Sequence, residues 1–524
     1  MSSAPFYLTT AIDYANGAPH LGHAYEKVLA DAIARHRRMQ GQAVHFLTGL
    51  DEHGQKVEQT ARRAGVEPQA HCDSIAVLFK EMLQLLTISH DDYIRTTEAR
   101  HRQVVQDCLQ RLFDQGLIYR AEYTGFYSVR QEQFLLEKDR NPDGTWPSLF
   151  GEVIQLTEAN YFFRLSQFQP WLVAHLESHP DFIYPRFRQK QVLEFLKEPI
   201  NDLCISRPKS RLTWGIELPF DKDFVTYVWF DALTNYYSAV ASKGRWPCDL
   251  HVIGKDILLP PHAVYWPCML HALGLEPPRR LLVHGWWTMG GAKVSKTPAA
   301  DKQGAAGVKP LDVLQLARDH GADPLRYFLL REMTVGQDSE FSLEMYRQRY
   351  RTDLGNDLGN LLNRLLNMAG RYAGGILPAA SADENLERDL RALGSSTGVK
   401  VVALAQDYQF KEALEELWIF IRALNAYVEA RAPWKLGKSV DPADRARLDS
   451  CLAHVGEGLR LVATCLAPVM PTIATRLLAD LGLPPATQYA GALEWSNRGQ
   501  GLKLAEASIL FPPLDAPASS STSA

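Results

Sequence analysis

The stretch FYLTTAIDYANGAPHL, Phe6–Leu21, together with the Gly22 and His23 that follow it, predicts the centre of the fold. Its first five residues are aromatic, apolar or β-branched, which is typical of a buried strand. The strand pattern breaks at the Asn-Gly-Ala-Pro turn of residues 16–19, and a long helical pattern opens at about His20. Strand-to-helix turns of parallel α/β sheets bind phosphate, because backbone N–H groups and the helix dipole point at the ligand. We therefore expect an anion site here.

His20 and His23 are three residues apart, so both imidazoles lie on one face of the first helical turn. They can donate N–H groups to a polyanion, while Gly22 lacks a Cβ and lets a flat ring approach the backbone. Taken alone, the His-x-Gly-His motif is better explained by two histidines that cap the helix. A second element is needed to decide between these interpretations.

That second element is Lys293-Val294-Ser295-Lys296-Thr297, which follows Gly285 and the pair Gly290-Gly291. Two lysines three apart behind a glycine-rich hinge suit a mobile clamp on a leaving pyrophosphate, although a solvated basic turn has the same pattern. The histidine motif comes first, the lysine segment follows, and an α/β half lies between them. Together the two elements resemble the HIGH and KMSKS signatures of class I aminoacyl-tRNA synthetases.

Composition limits the other classes of function. The 524 residues are too many for one core, and the net charge of −4 leaves RNA contacts to local basic surface. Seven cysteines never fall in a metal-binding spacing, which favours reduced thiols in a cytoplasmic enzyme. The sequence has neither an apolar run long enough for a membrane span nor the features of a signal peptide.

The alternation of strand and helix patterns predicts an α/β fold: a Rossmann-like parallel-sheet domain, split by a connective insertion and followed by an all-α helical bundle. The class I resemblance implies that the sheet domain is catalytic and that the bundle is an anticodon-binding domain. The expected boundaries are 1–116 for the first catalytic half, 117–214 for the insertion, 215–285 for the second half, 286–345 for the clamp and stem-contact region, 346–515 for the bundle and 516–524 for a disordered tail.

Several individual elements are predicted as well. Strands are expected at Ala43–Thr48, at Phe224–Phe230, where the parallel sheet would resume, and at His251–Ile253. The longest helical patterns include Leu354–Arg371 and Phe410–Ala430.

Within class I, the chain is most similar to the methionyl-tRNA synthetase family, and the resemblance covers nearly its whole length. The stretches that carry it are Ala15–His23, Leu47–Gly54, Val225–Ala232, Gly254–Ile257, Lys293–Thr297 and Asp357–Arg371. The resemblance implies ATP-dependent activation of L-methionine to methionyl-adenylate, then transfer to the 3′-terminal ribose of initiator and elongator tRNA(Met).

Methionine needs a carboxylate for its ammonium and an apolar slot for its thioether, which favours aromatic edges. Asp51 is the candidate acid, and the resemblance implies that His262 and the Tyr14 hydroxyl hydrogen-bond the sulfur. The full candidate set is Ile12, Tyr14, Asp51, Trp229, Ala232, Leu233, Tyr236, Ile257, His262 and Trp266. The segment Gly254–Trp266 is one residue longer than the family pattern.

ATP is expected along the first helix N-terminus, with Mg²⁺ but no dedicated metal cage. His20 and His23 would face the phosphates, Gly22 would lie under the adenosine, and Asp256 would accept from a ribose hydroxyl. Lys293 and Lys296 would meet the pyrophosphate; the clamp reads KVSKT, which keeps both positive charges. Many family members hold zinc on four cysteines of the insertion, but none lies between positions 108 and 204, so we expect no structural zinc.

The helical region is expected to read the anticodon. Asn367 and Arg371 are i,i+4 on one helix face and offer the groups that a cytosine edge requires, while Trp434 would stack a base. The resemblance assigns these residues to the CAU anticodon; without it, a solvated helix face is the better interpretation.

Three other interpretations stay open: a class I synthetase for another amino acid, a small-molecule adenylyltransferase, and a catalytically silent tRNA-binding paralogue. Leucine, isoleucine and valine enzymes need an editing insertion of roughly 200 residues, because one pocket cannot discriminate small apolar side chains. A silent paralogue is expected to have lost part of the histidine and lysine pairs. Since the sequence shows no tRNA-binding extension after the bundle, a monomer is expected.

Overall fold

The computed structural model describes residues 5–128, 133–135, 137, 140–290, 292–293 and 312–514. The strands are β1 Phe6–Thr10, β2 Asp13–Tyr14, β3 Val44–Asp51, β4 Asp92–Arg95, β5 Ile118–Ser128, β6 Gln133–Leu135, β7 Val153–Phe163, β8 Ile183–Tyr184, β9 Leu203–Cys204, β10 Ser206–Pro208, β11 Glu217–Leu218, β12 Asp221–Thr226, β13 Leu250–Gly254, β14 Leu281–His284, β15 Trp287–Met289, β16 Ala292–Lys293 and β17 Ser339–Glu340.

The helices are α1 Leu21–Met39, α2 Gln55–Ala64, α3 Pro68–Leu85, α4 Ala99–Asp114, α5 Gln169–Ser178, α6 Arg186–Phe195, α7 Val228–Ser238, α8 Trp266–Ala272, α9 Val313–His320, α10 Ala322–Glu332, α11 Leu343–Arg349, α12 Asn360–Ala373, α13 Asn385–Gln406, α14 Phe410–Arg431, α15 Pro433–Leu436, α16 Pro442–Leu466 and α17 Pro471–Asp480. Two π-helical segments, Leu258–Tyr265 and Tyr350–Gly359, lead into α8 and α12.

A parallel sheet forms the catalytic half, as the alternating pattern predicts. Its order is β2-β3-β1-β13-β14-β8, and β4 pairs with β3. In the register, Leu8 lies opposite Phe46 on one side and Leu250 on the other. All three side chains are fully buried, since helices cover both faces of such a sheet. The predicted strand Phe6–Thr10 and a helix that starts after His20 are both confirmed.

The predicted connective insertion contains an antiparallel sheet of order β6-β5-β7-β9. Eleven residue pairs join β5 to β7, from Ile118–Phe163 to Ser128–Val153. The range 117–214 is not a separate unit, however, because β8 within it pairs with β14 and becomes the edge strand of the parallel sheet. The chain therefore rejoins the parallel sheet at β8, before the predicted end of the insertion at residue 214.

The prediction of a parallel strand at Phe224–Phe230 is wrong. Phe224 and Val225 belong to β12, which lies between β10 and β11 in a small antiparallel sheet. From Val228 onward the chain is helical, with Asp231 in the first turn of α7. A short run of aromatic and β-branched residues does not separate a strand from a buried helix, and tertiary packing decides between them.

A buried ion pair joins the first helix to α10, which precedes the helical bundle. Asp31 on α1 lies 2.7 Å from the guanidinium of Arg326 on α10, and both side chains are fully buried. Burial alone would raise the pKa of Asp31, but Arg326 and Arg35 hold it below its ordinary value. Arg326 also donates to the carbonyls of Leu86, Pro468 and Val469. Among the described helices, none is long and apolar enough to cross a membrane.

Candidate active site

An open cleft of about 1000 Å³ lies where strands of the parallel sheet reach their carboxyl ends. Most predicted site residues line it, although they come from segments as much as 250 positions apart. The predicted residues on its wall are Ile12, Tyr14, His20, Gly22, His23, Asp51, Trp229, Ala232, Leu233, Tyr236, Asp256, Ile257 and His262.

The two histidines at the start of α1 form a stacked pair. Their ring centres are 3.7 Å apart at an interplanar angle of 23°. The backbone N–H of Gly22 donates to His20 Nδ1 at 3.1 Å, and that of His20 donates to His23 Nδ1 at 3.0 Å. Each Nδ1 is therefore an acceptor, and a neutral ring carries its proton on Nε2. A Cβ at Gly22 would lie only 3.0 Å from the His20 ring.

Asp51 is the last residue of β3, and it is only 5 % exposed. Its backbone carbonyl accepts from Ala15 N–H at 2.8 Å, so the strand end is tied to the turn before α1. Nearby Gly54 adopts φ +110°, and a Cβ there would lie 2.7 Å from the Tyr14 hydroxyl oxygen. A glycine is thus needed for Tyr14 to occupy the same wall as Asp51.

The helix that carries half of the apolar wall is fixed by a buried carboxylate between two histidines. Asp231 lies 2.6 Å from His53 Nδ1 and 2.7 Å from His101 Nε2. Burial opposes ionisation, but the two imidazoles lower the pKa of Asp231 to about 2. The contacts join α7 to α4 and to the segment after β3, and thereby fix Trp229 and Tyr236 in the cleft.

His262 is buried at the apolar end of the cleft. Its Nδ1 donates to the Ile257 carbonyl at 2.8 Å, so Nε2 accepts from the Tyr236 hydroxyl at 2.8 Å. Burial lowers the pKa of His262 to about 4, which keeps the ring neutral. Both ring nitrogens of His262 are thus hydrogen-bonded within the protein. The expectation that His262 hydrogen-bonds the methionine sulfur stays a prediction.

The stretch Gly254–Trp266 passes through the segment Leu258–Tyr265, in which Leu259 departs from helical geometry at φ −109° and ψ 130°. The His262 N–H donates to the carbonyl of Ile257, five residues back, as in a π turn. Ile257 and His262 consequently both reach the cleft. Trp266 does not reach it: the indole is 1 % exposed and donates to His251 Nε2 at 3.2 Å, behind Tyr236.

Asp256 also lines the cleft. Its Oδ1 accepts from the indole N–H of Trp286 at 3.1 Å. Lys255 lies over the Trp286 ring, with Nζ 4.0 Å from the ring centre, and pairs with Asp338 at 2.6 Å. Sequence reasoning had not selected Trp286, whose only signal was its position next to Gly285.

The predicted lysine clamp begins in β16, where Lys293 pairs with Thr288 of β15. The Lys293 side chain and the whole of Lys296 lie outside what the structure describes. The base of this hairpin is close to α1, since the rings of Trp287 and Tyr25 meet edge-to-face at 6.1 Å. Trp287 also lines the cleft.

Two acids of the cleft wall, Asp13 and Glu26, were missed by sequence reasoning, as was His284. Glu26 follows His23 by three positions, as His23 follows His20. The same helical spacing therefore places Glu26 on the face of α1 that carries the two histidines. Within the described ranges, no group of three or more His, Cys, Asp or Glu side chains is arranged to hold a metal ion.

The three candidate anticodon residues lie on neighbouring helices of the bundle. Asn367 and Arg371 are exposed on α12, and Trp434 on α15 is 37 % exposed. Arg364, one turn before Asn367, lies over the indole of Trp434 at 5.4 Å and pairs with Glu429 at 2.6 Å. Arg364 was not predicted; its i,i+3 spacing from Asn367 was the available signal.

A family model described as "tRNA synthetases class I (M)" matches residues 6–153 and 148–366. This match, with the parallel sheet and the histidine pair at its helix start, defines a class I tRNA synthetase. A curated methionine–tRNA ligase of Deinococcus radiodurans is 42 % identical over 522 residues, covering 97 % of this chain and 74 % of that protein. The Streptomyces coelicolor ligase is 38 % identical, covering 97 % of each. The chain belongs to the methionyl-tRNA synthetase family of class I.

Solved structures agree with this assignment. The Mycobacterium tuberculosis methionyl-tRNA synthetase bound by methionyl-adenylate is 38 % identical, with a TM-score of 0.89 over 97 % of this chain and all of that one. A second structure of that protein with methionyl-adenylate gives a TM-score of 0.90. The activity is therefore that of a methionine–tRNA ligase.

Proposed function

We propose that this chain activates L-methionine with ATP in the cleft described above and transfers it to tRNA(Met). The observation that carries the assignment of roles is the stacked His20–His23 pair at the start of α1, in the same cleft as Asp51 and Asp256. Asp51 receives the methionine ammonium, since a buried carboxylate is a strong partner for a cation. The apolar wall around Tyr236 and His262 receives the thioether.

ATP lies across the N-terminus of α1. His20 and His23 direct their Nε2 groups at the phosphates, Gly22 lies under the adenosine, and Asp256 accepts from a ribose hydroxyl. The methionine carboxylate attacks the α-phosphate and pyrophosphate departs, so no protein nucleophile is needed. The chain contributes positioning and charge stabilisation, with Lys293 and Lys296 assigned to the leaving pyrophosphate.

ATP enters as its magnesium complex, and Mg²⁺ belongs to the substrate. The described residues offer no cluster of carboxylates for a protein-bound ion, and this donor set fits a metal held mainly by phosphate oxygens. The second step is attack of the tRNA 3′-terminal hydroxyl on the acyl carbon of the adenylate, which forms the aminoacyl ester and breaks the anhydride bond to release AMP.

The tRNA is selected by its anticodon on the bundle. Asn367 and Arg371 read a cytosine edge, and a base stacks on the face of Trp434 that Arg364 leaves open. Initiator and elongator tRNA(Met) share this anticodon, so both are substrates. We further propose that the enzyme acts as a monomer in the cytoplasm, where translation uses its product.

The experiment that tests the proposal is ATP–pyrophosphate exchange with each of the twenty amino acids, followed by aminoacylation of tRNA(Met). We expect exchange with methionine and charging of both tRNAs. Exchange with another amino acid in place of methionine would assign a different specificity. Binding of tRNA without any exchange would identify a silent paralogue.

A further inference from the structure

The ammonium group of Lys27 lies beneath the wall of the cleft and is completely buried. Its Nζ is 2.7 Å from Glu26 Oε1, 3.0 Å from Asp13 Oδ1 and 2.9 Å from the Ala11 carbonyl oxygen. These three acceptors satisfy all three of its N–H groups. Lys27 therefore does not reach into the cleft, and it acts only through its partners.

Both carboxylates that Lys27 contacts line the cleft, and each of them also contacts a histidine. Asp13 Oδ1 is 3.9 Å from His23 Nε2. Glu26 Oε2 is 3.1 Å from His284 Nε2, while His284 Nδ1 donates to the carbonyl of Gly285. The cluster His23–Asp13–Lys27–Glu26–His284 thus runs along the cleft from the start of α1 to the end of β14.

The charges of this cluster affect ATP binding, because Asp13 lies beside His23, which the proposed function places at the phosphates. Burial opposes the charged forms of Glu26 and Lys27, yet their mutual attraction, with His284 and Asp13, lowers the pKa of Glu26 and raises that of Lys27. Both groups are therefore charged at neutral pH. If the ammonium of Lys27 were removed, the carboxylates of Asp13 and Glu26 would lie near the proposed phosphate site without their nearest counter-ion.

We propose that Lys27 is a positioning residue for ATP: its ammonium offsets part of the negative charge of Asp13 and Glu26 beneath the phosphate site. This inference rests on the proposed function, which places the phosphates at the histidine pair. The position of Lys27, four residues after His23, puts its side chain one turn below the imidazoles on the same face. The acids of the cleft wall thus repel the triphosphate less than they would without Lys27.

Three variants test the proposal by methionine-dependent pyrophosphate exchange: Lys27→Met, Asp13→Asn and the double variant. Lys27→Met is expected to raise the KM for ATP about tenfold or more, with a change of less than about threefold in the KM for methionine. Asp13→Asn removes a negative charge and should leave the KM for ATP unchanged or lower it. The double variant restores the net charge, and its KM for ATP should be within about threefold of that of the wild type.

Thermal unfolding of each variant separates an electrostatic role from a structural one, because losing one partner of a buried ion pair also destabilises the fold. A folded Lys27→Met with the wild-type KM for ATP would overturn the proposal. So would an Asp13→Asn variant that raises this KM as much as Lys27→Met does. Should Lys27→Met fail to fold, the double variant decides, and a KM for ATP raised tenfold there contradicts the proposal. Failure of the proposed function is recognised separately, as absence of exchange in the wild type.

Discussion

The imidazoles of His20 and His23 stack 3.7 Å apart, and each accepts a backbone N–H of its own helix start through Nδ1. The capping and the ligand-binding interpretations of this motif are therefore compatible. The same hydrogen bonds that complete the helix terminus fix the ring orientation and the tautomer. A pair of Nε2 donors is thereby preorganised at the positive end of the helix dipole.

Replacing His23 with alanine should slow adenylate formation about 100-fold, since one preorganised donor to the reacting phosphates is lost. It should also cost about 1 kcal/mol in the free energy of unfolding, because the capping contact to the His20 N–H disappears. His23→Gln is the matched control, since glutamine at this helix position can keep the cap. Exchange at the wild-type rate in His23→Ala would contradict the assigned role.

Asp51→Asn should raise the KM for methionine about 30-fold or more, because the ammonium of the substrate loses a buried ionic partner. The KM for ATP should change much less, since the histidine pair and Asp256 remain. Steady-state exchange at varied methionine and varied ATP measures both constants. An equal increase in the two would show that Asp51 supports the cleft rather than the amino acid.

Trp434→Ala should reduce kcat/KM for tRNA(Met) in aminoacylation roughly 5- to 100-fold, the range expected for one lost base–aromatic stack. Methionine-dependent exchange should be unaffected, because Trp434 lies in the helical region and does not line the cleft. Ile419→Ala is a suitable control, since Ile419 is a 51 % exposed apolar side chain elsewhere in the bundle. Parallel loss of both activities would remove the anticodon assignment.

The depressed pKa of His262 should make stability depend on pH. Its ordinary pKa is 6.5, and burial lowers it to about 4 in the folded chain. Between these values the unfolded chain takes up a proton that the native chain excludes, so stability is full above pH 6.5 and falls towards pH 4. The loss from this group is at most about 3 kcal/mol. Denaturant unfolding at several pH values should show a shallower decline in His262→Gln, and parallel curves would contradict the assignment.

Sedimentation at micromolar concentration should give the mass of one chain, 58.9 kDa. A stable dimer would refute the expectation of a monomer. A particle of this mass contains one cleft. Active-site titration with methionine and ATP should therefore find one site per particle.

Much of the catalytic half was predictable because it rests on local rules. Strand β1 and the start of α1 follow from side-chain periodicity and turn chemistry in adjacent residues. The cleft at the carboxyl ends of the strands follows from the parallel topology itself. Tyr236, Asp51 and Asp256 could be assigned to one cleft from the family resemblance, although they lie far apart in the chain.

The errors arose where long-range packing decided the outcome. Periodicity gave Phe224–Phe230 as one strand, but the chain becomes helical at Val228, where α7 packs through Asp231 against His53 and His101. Trp266 is a large aromatic residue of the kind expected to line the methionine pocket, yet it packs behind Tyr236. Neither outcome could be inferred from neighbours along the chain.

The sequence by itself determined the class of fold and the histidine pair, since these follow from short patterns and their spacing, and its resemblance to a known family supplied the candidate substrate residues. Only the tertiary structure decided that β8 completes the sheet from inside the insertion, that Arg364 covers one face of Trp434, and that Lys27 lies between two acids of the cleft. The physical reason is that hydrogen-bond periodicity and capping act over a few residues. Burial and charge pairing depend on which distant segments meet.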